Sequence, residues 1–171
     1  MRRAAALLAL AVPLAGAALE PRYDHRDQVG LSLEAGLASD TLAVGGGTSS
    51  TRTAPALRLA FGWDPTGEGN ELQAGVRLSW PEPDPAERHV RAAVDVRYRA
   101  YFGTDAWKTF LDFGLLASVA SRLAAGPLLG LGVQLDLSRA GGLYAGAALG
   151  TGLGQGRLAS LSIAAGTQFR F

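Results

Sequence analysis

The sequence predicts an all-β chain, an eight-stranded antiparallel up-and-down β-barrel, and three observations carry that prediction. Beyond residue 28 the chain divides into about eight segments in which apolar residues alternate with small or polar ones, each closed by turn chemistry. One face of every segment is free of charge, whereas the other holds isolated Arg, Lys, Asp and Glu among Gly, Ala and Ser. The last segment, SLSIAAGTQFRF, keeps its alternation to the end and stops on Phe171, with Phe169 just before on the same face.

The N-terminus sets the compartment. MRRAAALLALAVPLAGAALE carries two arginines, an apolar run and Ala15 and Ala17 in an A-x-A arrangement. That order predicts a secretory signal peptide over residues 1–17, cleaved after Ala17. The run is too short to cross about 30 Å of hydrocarbon as a helix, and Pro13 interrupts it. Residues 18–28 read as a short periplasmic lead-in and 29–171 as the barrel. The chain has no cysteine, which excludes disulfides, thiolate chemistry and a lipidated cysteine. Removing the signal leaves about 154 residues, one domain's worth, and takes the net charge from +1 to about −1, so no basic surface invites nucleic acid. The 23 glycines are dispersed and show no collagen-like period.

The segments follow in order. Val29–Leu37 puts Val29, Leu31, Leu33, Ala35 and Leu37 on one face, and a long Gly/Ser/Thr-rich stretch, about Ser39–Ala54, reads as a mobile loop. Ala56–Trp63 shows Leu57, Leu59, Phe61 and Trp63 before the turn DPTGEGN. Glu71–Trp80 shows Leu72, Ala74, Val76, Leu78 and Trp80, and the three prolines of PEPDPAER stop it. HVRAAVDVRYRAYF sets Val90 to Phe102 on one side against Arg91, Asp95, Arg97 and Arg99 on the other. After GTDA comes Trp107–Val119, then a connection around SRLAAGP, then Leu128–Ser138, Leu143–Leu153 and Leu158–Phe171.

Alternation alone does not say which face points outward. Three features choose lipid for the apolar one. The other face is mostly Gly, Ala and Ser, which suits a narrow lumen better than a water-facing surface. With the N-terminus periplasmic, Trp63, Phe102, Trp107, Phe169 and Phe171 fall at one rim and Trp80 marks the other, as in the aromatic girdles of spanning barrels. An even strand number returns the C-terminus to the side of the N-terminus. The expected barrel is therefore transmembrane; a soluble periplasmic ligand-binding barrel is the alternative.

The closing strand resembles the C-terminal signature of bacterial outer-membrane β-barrel proteins, with Phe171 last and apolar or small residues at every second position before it. The architecture is similar to the small eight-stranded barrels of the OmpA and OmpX type over nearly the whole mature chain. The resemblance implies residence in the cell outer membrane. It also implies that Phe169 and Phe171 form the strand read by the barrel-assembly machinery.

An eight-stranded barrel has an interior just wide enough for side chains to fill. Glu34, Asp95, Asp112 and Asp136 are expected to answer Arg58, Arg77, Arg97 and Arg99 in one internal network, since charges taken from water need partners. That network reads as a structural polar plug, or alternatively as a switchable constriction for ions. A lipid A-modifying enzyme would need a nucleophile with a base in reach. The two histidines, His25 in the lead-in and His89 beside PEPDPAER, have no serine in an obvious motif nearby, so no catalytic residue is assigned. A binding barrel would work through its outer loops, of which only the first is long. No cofactor or metal-ligand motif appears; GTGLGQG lacks the GKS/T element and the helix of a phosphate loop and reads as a strand end and turn. The expected state is a monomer with membrane lipid as its main partner.

Overall fold

The computed structural model describes residues 28–44, 48–80, 90–103, 106–118, 123–154 and 156–171. Eight strands run in chain order: β1 Val29–Val44, β2 Thr48–Trp63, β3 Glu71–Ser79, β4 Arg91–Phe102, β5 Trp107–Ser118, β6 Ala124–Ser138, β7 Gly141–Gly154 and β8 Arg157–Arg170. Each pairs antiparallel with its neighbours, and β8 pairs with β1, closing the barrel. Closure leaves no sheet edge along the seam, where the amide of Phe171 donates to Val29 O at 2.9 Å and that of Val29 to Phe171 O at 3.3 Å. The signal segment, the lead-in up to residue 27, the PEPDPAER stretch and both histidines lie outside the described residues.

The strands are steeply sheared. Following hydrogen-bonded partners from Gly30 through Gly62, Gln73, Arg97, Gly114, Leu128, Gly150 and Ser160 returns to β1 at Asp40, ten residues farther along. With strands about 4.8 Å apart and a rise of about 3.3 Å per residue, that offset tilts them about 40° from the barrel axis. Residues opposite one another in the ladder therefore sit at different heights in the lumen. We call the end bearing Val29, Trp63, Phe102, Trp107 and Phe171 the near rim, and the opposite end the far rim.

Two expectations are corrected. The described residues of the stretch expected as a mobile first loop continue the sheet: β1 and β2 stay paired from Leu37–Pro55 to Val44–Thr48. Asp40 and Ala54 are buried inside, as is Ala38 just before the stretch. Outside, directly opposed hydroxyls hold the ladder, Thr41 to Thr51 at 2.8 Å and Thr53 to Ser39 at 3.1 Å. Threonine's branched Cβ favours this geometry, which outweighs the loop-like composition. Likewise β6 begins at Ala124, inside the expected SRLAAGP connection. Pro127 is accommodated because the pairing with β7 passes from Ala125–Leu153 to Leu128–Gly150 without it.

The β2–β3 turn is built on Asp64, whose carboxylate accepts from the amides of Thr66 (2.9 Å), Gly67 (2.9 Å) and Gly69 (2.7 Å). Gly67 and Gly69 adopt φ of 68° and 84°, where a side chain would be strained. Burial works against the charge, but these amide donors hold the Asp64 carboxyl below its ordinary value.

Candidate functional site

Because side chains alternate across a strand, the barrel has two surfaces of opposite chemistry. The outer wall is apolar between the rims: Leu33, Leu59, Val76, Val96, Leu115, Leu131, Leu149 and Ile163 are all exposed. The charges are inside. This is the reverse of a soluble domain, in which large exposed apolar surfaces are rare.

The charged lumen separates into three groups. In the middle, Glu34, Arg58, Asp95, Arg97, Asp112 and Arg99 form one continuous chain. Arg58 donates to Glu34 at 2.6 Å and grips Asp95 with two nitrogens at 2.6 and 2.9 Å. Arg97 bridges Asp95 at 2.8 Å and Asp112 at 3.1 Å, and Arg99 takes both oxygens of Asp112 at 2.8 and 3.0 Å. Such two-pronged Arg–carboxylate contacts fix geometry as well as charge. The guanidinium of Arg99 also stacks 3.8 Å from the ring centre of Phe110, with Tyr144 at 5.1 Å. Gly75 makes room for this chain, since a Cβ there would lie 2.7 Å from the guanidinium of Arg58.

At the near rim a second group gathers strand ends distant in sequence. Glu71 accepts from Gln168 at 2.7 Å and Gln73 at 3.0 Å and meets Arg170 at 3.4 Å. Arg170 reaches Asp136 at 3.1 Å, and Lys108 pairs with the same carboxylate at 2.8 Å. Gln134 donates to Asp136 at 2.7 Å and accepts from the Tyr101 hydroxyl at 3.1 Å. Towards the far rim stands a smaller third group, Asp40 with Arg77 at 3.0 Å and the Ser160 hydroxyl at 2.6 Å.

The network expected as one layer is thus three groups. Glu34, Arg58, Asp95, Arg97, Arg99 and Asp112 come together; Arg77 and Asp136 stand apart, with Asp40 and with Lys108 and Arg170 respectively. Shear is the reason, because equal positions along neighbouring strands are not equal heights. Sequence reasoning had not singled out Asp40, Glu71, Gln73, Gln134, Gln168 or Arg170 as network members. Each occupies the inward parity of its strand, and parity was the signal that could have found them. Within the three groups as named, six carboxylates meet six cations.

Opposite the third group the lumen is apolar. Ala93, Leu116, Ala124, Leu128, Ala148 and Leu158 form a buried cluster contributed by β4 to β8, with Leu116 only 3% exposed. The signal for Leu116, Leu128, Phe110 and Tyr144 was a doublet: Leu115–Leu116, Leu128–Leu129, Phe110–Leu111 and Leu143–Tyr144 each break strict alternation, so one member must point inward. Two voids in the lumen measure about 20 Å³ each, room for about one water apiece.

The aromatics predicted for the interfaces are placed as follows. Trp107, Phe102, Phe169 and Phe171 are exposed at the near rim, Phe171 at 80%, and Trp80 is exposed at the far one. Trp63 is half-buried at the near rim, its ring 5.8 Å from that of Phe61.

Among solved structures, the crystal structure of Neisserial surface protein A superposes with a TM-score of 0.61 at 15% identity, covering 82% of this chain and 97% of that one. The N-terminal β-barrel domain of Pseudomonas aeruginosa OprF gives 0.56 at 13% identity, covering 83% and 97%. Ail, the attachment invasion locus protein of Yersinia pestis, gives 0.52 at 12% identity, covering 84% and 99%. The chain has the fold of the small eight-stranded outer-membrane barrels. At these identities the likeness speaks for fold alone. No protein-family model and no curated protein matches the sequence.

Proposed function

We propose that this protein is an integral barrel of the bacterial outer membrane with a structural part in the envelope, its lumen a plug rather than a passage. One observation carries the reading: an apolar outer wall encloses ion pairs whose side chains are almost wholly buried. Water would favour the opposite arrangement, and hydrocarbon favours this one. Phe169 and Phe171 then serve as interface anchors and as the strand presented to the assembly machinery. The rim tryptophans sit at headgroup level, and the barrel works as a monomer.

The plug has two parts acting in series. Neutralised charges fill the lumen from the near rim to Glu34, and beyond them the Leu116–Leu128–Leu158 cluster faces the Asp40–Arg77 pair across the lumen and narrows it with apolar side chains, which disfavour hydrated ions. Fractionation tests the location. A heat-modifiable band in the outer membrane is expected, and Val94→Arg, on the outer wall, is expected to destabilise insertion by about 2–4 kcal/mol if it lies near the bilayer midplane. A soluble periplasmic pool of folded wild type would overturn the reading. Planar-bilayer recordings of the purified protein are expected to show no unitary current; a reproducible one would replace the plug with a pore.

A further inference from the structure

On the outer wall, strands β5, β6 and β7 frame an apolar depression of about 650 Å³. Leu111, Leu131 and Val133 form one side, and Ala145 and Ala147 form the floor. Register explains the hollow: Val133 faces Ala145 and Ala145 faces Ala165, so short side chains cross three adjacent strands. Above and below on β7, Leu149 and Leu143 restore the height of the belt. On the near-rim side, β6 ends in a bulge between Asp136 and Ser138 and turns through Arg139, which is exposed.

We propose that this depression seats an acyl chain of one membrane phospholipid whose phosphate is held by Arg139. This rests on the membrane reading above and adds a ligand to it. The lining admits an apolar occupant. A stable protein partner needs about 800 Å² from each side, far more than a hollow framed by three strands supplies. Arg139 lies six residues from Val133, about 20 Å along the strand, which the tilt of about 40° makes about 15 Å of depth and keeps within one leaflet of a bilayer about 40 Å thick. A guanidinium at that depth meets the phosphate plane, where its fork suits two phosphate oxygens.

The test uses the full chain reconstituted in vesicles of phosphatidylethanolamine and phosphatidylglycerol, extracted in mild detergent and weighed by native mass spectrometry. Wild type is expected to retain one phospholipid. Ala145→Trp fills the hollow with a ring that still suits the belt and is expected to abolish retention. Arg139→Gln is expected to weaken it about tenfold, the worth of one charged hydrogen-bond set. Equal retention by all three inserted proteins overturns the site and leaves the membrane reading intact. Retention lost in Ala145→Trp but untouched in Arg139→Gln overturns the headgroup assignment. A dimer that Ala145→Trp disperses overturns the lipid in favour of a second copy. Failure of wild type to enter the vesicles sinks the membrane reading itself, and the site with it.

Discussion

Towards the near rim, Arg170, Lys108 and Arg99 are each closed in by carboxylates; towards the far rim, Leu116, Leu128 and Leu158 close on one another. Both halves exclude solvent, but by different physics. A buried ion pair stands only while every member is present, because its charges have lost their water. An apolar cluster degrades gradually as volume is removed. The near part of the lumen is therefore sensitive to single charges, whereas the far part, which holds only the Asp40–Arg77 pair among the described ion pairs, is governed more by shape.

The largest expected effect follows from the first half. Asp112→Ala strips the shared carboxylate from Arg97 and Arg99 and is expected to cost about 3–5 kcal/mol, read as a lower midpoint of denaturant unfolding in detergent. If that variant unfolds like wild type, the two halves do not differ in the way described. Leu128→Ala in the apolar half is expected to cost about 2–4 kcal/mol by the same measurement, scaled by the cavity it leaves. Conductance sharpens the comparison further. Asp112→Ala alone is expected to stay silent in planar bilayers because the apolar cluster still narrows the path, while adding Leu116→Ser and Leu128→Ser produces current. Current from Asp112→Ala alone would assign closure to the charges.

Gly75→Ala probes how tightly the charged half is fitted. Its new methyl meets the Arg58 guanidinium and is expected to cost about 1–3 kcal/mol as overpacking. The smallest effect lies outside the lumen, at Asp64. Its folded carboxyl titrates below the ordinary value, so the turn's added stability is complete above about pH 4 and is lost as pH falls through the lowered value. Hydrogen exchange at the amides of Thr66, Gly67 and Gly69 is expected to quicken only at that acid end, and in Asp64→Ala at all pH values.

Much of the fold was legible. Val94, Val96 and Tyr98 against Asp95, Arg97 and Arg99 gave β4 its two faces, because a strand's side chains alternate whatever surrounds it. The turn at DPTGEGN and the closing strand to Phe171 were legible for the same local reasons. The length of the first hairpin was not, since Ser and Thr suit loops and strands alike until an opposite strand supplies partners such as Thr51 for Thr41.

Sequence by itself determined which side chains share a face, how many strands there are and how the two faces differ in polarity, all consequences of a period of two. Tertiary structure alone decided who meets whom inside. Glu71 reaches Arg170, 99 residues away, and Arg77 finds Asp40 rather than a carboxylate of the middle chain. Those pairings depend on the ten-residue shear, a property of the closed sheet that no single strand contains.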